Sequence, residues 1–166
     1  MRASAAGYKY CRIGENLALS ASSLGFEAKA LATSTIERWL KSPQHRANLL
    51  APYVTDIGVA VARVADKHPK YVVVQMVGRP QALSIQFEIS NRTSGKVRYS
   101  LSGTVRTIDP GTSVRHTVCE PKVLKFLSTG SAVASGQYAA ENGKVYTVSQ
   151  KAGAGTIELK VGEKGK

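Results

Sequence analysis

The sequence predicts an α+β chain: an N-terminal half that mixes helices with strands, followed by a small all-β, sandwich-like domain. Three observations carry that expectation. Apolar residues recur at helical spacing from about Leu24 to Lys41 and stop at Ser42-Pro43. Two strand-like runs follow at 57–64 and 71–78, the first alternating large and small side chains. Beyond Arg79-Pro80 the pattern changes to short period-two runs separated by Gly, Pro, Asn and Asp. The division falls there, giving domains 1–80 and 81–166.

In chain order, Arg12 to Leu19 reads as a short strand. Ser22-Ser23 offers an N-cap for the helix that follows, with Leu24, Ala28, Leu31, Thr35, Ile36, Trp39 and Leu40 forming one stripe. Pro43 ends that helix, because proline lacks the amide hydrogen and disfavours helix in the residue before it. Ser42 then caps a second short helix with Pro43 in its first position, ending near Leu50. In the strand 57–64, Ile57, Val59 and Val61 face one layer, while Gly58, Ala60 and Ala62 leave room for a helix on the other. In the second half, strands fall near 83–91, 96–101, 103–108, 112–119, 122–127, 144–149 and 156–161. Asp109-Pro110-Gly111, Glu141-Asn142-Gly143 and Ala152-Gly153-Ala154-Gly155 supply turns, and Ser128–Gln137 reads as a loop.

The formal net charge is +12, and it is shared evenly: residues 1–80 hold 11 Lys/Arg against 5 Asp/Glu, and residues 81–166 hold 12 against 6. Such a field favours polyanions, anionic envelope polymers and lipid headgroups among them. Nucleic acid is not the expected partner, because no groove-fitting motif or aromatic stacking platform accompanies the charge. No apolar run approaches the ~20 residues of a membrane-spanning helix, and Met1 to Gly7 carries no signal-peptide pattern. Cys11 and Cys119 admit two readings. A disulfide between them would close a long loop and stabilise by ~4–5 kcal/mol; two buried thiols are the alternative.

Three motifs stand in order: Gly14-Glu15-Asn16-Leu17-Ala18; Trp39-Leu40-Lys41-Ser42-Pro43-Gln44-His45-Arg46-Ala47-Asn48-Leu49-Leu50; and Ile57-Gly58-Val59-Ala60-Val61-Ala62. Together with Val72 to Pro80 they resemble the bacterial, SCP-like branch of the CAP superfamily (cysteine-rich secretory, antigen 5 and pathogenesis-related proteins) over residues 7 to 80. The resemblance implies an α-β-α sandwich, here truncated, since only Met1 to Gly7 precede the first motif and two N-terminal helices have no counterpart. It also implies an extracellular or periplasmic location and tips the cysteines towards a disulfide. The C-terminal half resembles no named family.

In that family a cavity lined by two histidines and two acids can bind zinc. The matching positions here are Glu15 and His45; the second acid falls on Ser42, and the other histidine has no counterpart. His45, in the first turn of its helix, is disfavoured as an imidazolium by the macrodipole, while a nearby Glu15 would favour protonation. One histidine and one carboxylate make at best a weak zinc site, because zinc takes three or four protein ligands. The structural alternative is a buried Glu15–His45 pair tying strand to helix. Asn16 reads as a backbone brace, Trp39 as core, and Arg46 and Asn48 as donors to carbonyls.

Nothing in the chain supplies an activated nucleophile, an oriented base and an oxyanion site together. As a helix cap, Ser42 is expected to give its hydroxyl to backbone amides. His116 and Cys119, three apart on a strand, fall on opposite faces, and His68 sits in a polar turn. The expected function is therefore non-enzymatic: binding of a small ligand or metal near Glu15, Ser42 and His45, with the basic surface towards anionic envelope components and self-association through an uncovered sheet face. The alternatives are a protease-like hydrolase using Glu15 and His45 as acid and base, and a purely structural interaction module.

Overall fold

The computed structural model describes residues 2–64, 69–127, 136–150 and 157–163. His68, the glycines at 153 and 155, and most of the stretch 128–137 lie outside the described residues. The chain divides into two compact units, Met1–Leu83 and Ser84–Lys166. Among the described residues no helix is long and apolar enough to cross a membrane.

The first unit opens with a single helical turn, α1 (Arg2–Ala5), and the strand β1 (Tyr10–Ala21). Two helices follow, α2 (Ala28–Lys41) and α3 (Pro43–Leu49), then strands β2 (Asp56–Val64) and β3 (Lys70–Pro80). The sheet order is β1-β3-β2, antiparallel throughout. Register pairs Gly14 with Val77, Asn16 with Gln75 and Ala18 with Val73. Side chains alternate across a strand, so these residues share one face, and Ile13, Glu15, Leu17 and Leu19 lie on the other. The helices pack on the first face, over a core of Leu31, Trp39 and Val73 with Ala18, Leu49 and Tyr71 beside it. On the opposite face the second helical layer of the expected sandwich amounts, among the described residues, to α1, whose Ala3 is buried.

Four expectations for this unit are corrected. The long helix starts at Ala28 rather than Leu24, because Gly25 takes φ +79° and its N–H bonds to the Ser22 carbonyl in a turn; Leu24 is left 98 % exposed. Glu27, not Ser22 or Ser23, is the N-cap residue, and it makes no side-chain cap bond. The buried stripe is also narrower than the seven residues expected: Leu31, Thr35 and Trp39 are buried, whereas Ile36 and Leu40 are exposed. A helix lying along a sheet of three strands needs only one row of contacts. Finally, Ile57, Val59 and Val61 of β2 pack against no layer, since every residue of that strand is exposed.

The second unit contains β4 (Ile85–Arg92), β5 (Val97–Leu101), β6 (Thr104–Ile108), β7 (Ser113–Val118), β8 (Val123–Leu127), β9 (Gln137–Ala139), β10 (Lys144–Gln150) and β11 (Ile157–Glu163). They form two four-stranded sheets, β11-β10-β4-β7 and β6-β5-β8-β9. Phe87, Ile89, Tyr146 and Val148 from one sheet and Val97, Tyr99, Leu124 and Phe126 from the other make one shared core, which defines a sandwich. Tyr146 is buried but keeps its hydroxyl satisfied, donating to the Ala139 carbonyl at 2.5 Å and accepting from the Glu141 amide at 3.2 Å. The strand β9 replaces the end of the expected loop at Gln137. Its three residues are too few to show a period in sequence.

Candidate functional site

The G-E-N and W-x-x-S-P-x-H-R-x-N motifs meet where α2 and α3 cross β1. Glu15, Leu17 and Leu19 are alternate residues of β1, so their carbonyls point along one edge. Each of those carbonyls accepts a hydrogen bond from a helix side chain: Asn48 Nδ2 to Glu15 O at 3.1 Å, Trp39 Nε1 to Leu17 O at 3.1 Å, and Arg38 Nη1 to Leu19 O at 3.2 Å. Arg38 Nη2 also donates to Ser20 Oγ at 2.7 Å. Side chains from the helices thus close a strand edge that would otherwise be open to pairing.

Asn16 is fully buried at the centre of this contact. Its Nδ2 donates to the His45 carbonyl and to Gln75 Oε1, both at 3.0 Å, and its Oδ1 accepts from Asn48 Nδ2 at 2.9 Å. Gly14 permits the close approach: a Cβ there would lie 2.8 Å from Asn48 Oδ1 and 3.1 Å from Val77 Cγ2. Sequence reading gave Asn48 a carbonyl and Trp39 the core. It missed the indole bond to Leu17 and the role of Arg38; the i, i+2, i+4 spacing of the carbonyls became visible only with the helices in place.

Ser42 is the N-cap residue of α3, but it makes no cap bond through its side chain. Its Oγ instead lies 2.8 Å from His45 Nδ1. The expectation that backbone amides occupy this hydroxyl is therefore overturned: a histidine three residues into the helix folds back over the cap and competes for the same oxygen. The His45 ring stacks on Trp39 with centroids 6.5 Å apart and planes 22° apart. With Nδ1 engaged by Ser42, Nε2 is the ring nitrogen left for an outside partner.

Glu15 goes elsewhere. Its carboxylate accepts from Arg2 of α1, with Arg2 Nε at 2.9 Å and Nη2 at 2.6 Å from Oε1. Strand alternation turns it to the face away from Asn16 and α3. Among the described residues no hydrogen bond or ion pair joins Glu15 to His45. The structure brings Ser42 and His45 together and leaves Glu15 with Arg2.

Those donors do not fit a zinc centre. Zinc needs three or four ligands, and among the described residues no group of three or more His, Cys, Asp and Glu side chains is placed to hold a metal ion.

In the sandwich unit His116 is half-buried on β7. Its Nε2 is 2.8 Å from the Tyr99 hydroxyl, and its ring stacks on Phe87 at 5.1 Å. Burial holds its pKa below the ordinary histidine value, and the Arg106 charge pushes it the same way. Burial likewise raises the Tyr99 hydroxyl, with Arg106 opposing.

The G-E-N and helix-break motifs thus fasten the edge strand of a three-stranded antiparallel sheet to two helices. Residues 3–77 match the family model of CAP, the cysteine-rich secretory protein family. Searches of curated proteins and of solved structures return no match.

Proposed function

We propose that the chain is an extracytoplasmic, non-enzymatic binding protein of CAP type, taking a small anionic ligand at the Ser42–His45 pair. The observation that carries this reading is the 2.8 Å contact between Ser42 Oγ and His45 Nδ1. It fixes the ring and leaves Nε2 as the nitrogen for an outside partner, with the ring stacked on the indole of Trp39. The net charge of +12 favours an anionic partner, whether a soluble ligand or an envelope polymer. The extracytoplasmic placement rests on the CAP match, whose members are typically secreted. Glu15 supports the site indirectly, through its carbonyl bond to Asn48. An acid–base hydrolase using Glu15 and His45 is disfavoured, because the carboxylate is engaged by Arg2.

The test follows the His45 imidazole by NMR while inorganic phosphate is added, with zinc in a parallel titration. A saturable shift at His45, absent from His68 and His116 and weakened in Ser42→Ala, is expected. Equal shifts at all three histidines, or none at His45, would overturn the ligand site. A micromolar zinc response at His45 would overturn the conclusion that its donors do not make a metal centre.

A further inference from the structure

We infer that β2 is an interaction edge for a second copy of this chain, pairing antiparallel with itself about Val59. The two edges of the first sheet differ sharply. That of β1 is closed by Asn48, Trp39 and Arg38 and carries a register shift at Tyr10/Arg12. β2, at the other end of the order β1-β3-β2, has none of these protections. Its register against β3 runs without a break from Asp56 to Val64, and it contains neither proline nor lysine. Among the described residues no side chain bonds to its backbone. Ile57, Val59 and Val61 are 67, 64 and 56 % exposed. A long, regular, apolar and uncovered edge of this kind is a template for another strand.

The strand itself selects a second copy as the occupant. Read outward from Val59, Gly58 and Ala60 are both small, and Ile57 and Val61 are both β-branched. In an antiparallel pair centred on Val59, that residue meets its own counterpart, Ile57 meets Val61, and Gly58 meets Ala60. Large residues then stack on the face that carries the helices in each copy, which two-fold symmetry about an axis normal to the sheet requires. Charge points the same way. The only charged residues of β2, Asp56 and Arg63, stand at opposite ends. Antiparallel pairing brings Arg63 of one copy to the Thr55–Asp56 corner of the other, whereas parallel pairing would set like charges together. The product is a six-stranded sheet, β1-β3-β2-β2-β3-β1, with both outer edges closed by helix side chains.

Each copy brings an excess of six positive charges in residues 1–80, so general repulsion opposes the neutral seam. Added salt therefore strengthens this dimer, the reverse of an association held by charge.

The test is sedimentation equilibrium of the full chain over a concentration series, at low and high salt, with Val59→Lys as the principal variant. The expected result is a monomer–dimer equilibrium that tightens with salt and weakens at least about tenfold in Val59→Lys, where two lysines face each other on the axis. Circular dichroism and the fluorescence of Trp39, which lies outside the strand, show whether that variant is folded. If it is not, Val59→Cys serves: mild oxidation should cross-link two copies through residue 59, and Leu19→Cys on β1 should not do so. A chain that stays monomeric at every concentration overturns the proposal. So does a dimer that folded Val59→Lys leaves unchanged, or one in which Leu19→Cys cross-links as readily as Val59→Cys.

Discussion

The indole of Trp39 donates to the Leu17 carbonyl at 3.1 Å, so the first unit's only tryptophan seals a strand edge as well as filling the core. Its neighbours Arg38 and Asn48 do the same for Leu19 and Glu15. A motif that looks like a site signature is, for most of its residues, a device that fastens two helices to one strand. The part left for the proposed ligand is Ser42 with His45.

Asn16→Ala should be the most damaging single change in that contact. It removes at once the side-chain donor to the His45 carbonyl, the donor to Gln75 Oε1 and one of the two acceptors of Asn48 Nδ2. Unsatisfied buried polar groups cost roughly 1–3 kcal/mol each, with partial relaxation, so a loss of about 3 kcal/mol is expected. Trp39 is the chain's single tryptophan, and its fluorescence during urea unfolding reports this unit alone. A change below about 1 kcal/mol would show that the network contributes little.

Gly14→Ala should destabilise the same unit by about 1–3 kcal/mol, because the new methyl meets Asn48 Oδ1. The cost should shrink when Asn48 is itself shortened to alanine, which removes the obstacle. A double-mutant cycle with no coupling between the two positions would contradict this packing.

Ser42→Ala should cost no more than about 1 kcal/mol of stability, the scale of one part-exposed hydrogen bond. Its clearer effect should be on the His45 ring, whose nitrogen chemical shifts should move towards those of a freely exchanging tautomer pair. Unchanged shifts would mean that Ser42 does not set the ring.

The sandwich unit should weaken in acid through His116. Its folded pKa is lowered, by burial first and by Arg106 second, so the unfolded chain takes up a proton more readily. The stability it contributes is present above the ordinary histidine value of about 6.5 and is lost as pH falls below it. Amide protection factors in β5 and β8, which divide out the intrinsic pH dependence of exchange, should fall between pH 8 and pH 5, and His116→Gln should flatten that dependence. Equal acid sensitivity in the variant would assign it to other groups.

We expect Cys11 and Cys119, the chain's only cysteines, to pair with each other. Denatured protein should take up no alkylating agent until reduced, and then two equivalents. Uptake before reduction would refute the pairing. Reduction should lower stability by up to ~4–5 kcal/mol in the chain-entropy model.

Local features were read well from sequence where their signal is local. The helix break at Ser42-Pro43 appears where proline requires it, and β2 and β3 appear within two residues of the alternating runs that announced them. Where two local signals competed, the sequence misled. Ser22-Ser23 is a good cap pair, yet Gly25 turns the chain and delays the helix to Ala28. Ser42 is a good cap residue, yet His45 takes its hydroxyl.

By itself the sequence determined the order of helices and strands in the first unit and the helix-break motif, because periodicity and turn chemistry act between residues a few positions apart. Tertiary structure decided that Glu15 faces Arg2 and not His45, that β1 is closed and β2 open, and that Asn16 is the hub. Those outcomes depend on partners some thirteen to fifty-nine residues away in the chain. Which of them arrives first at a given carbonyl or carboxylate is settled by how the helices seat on the sheet.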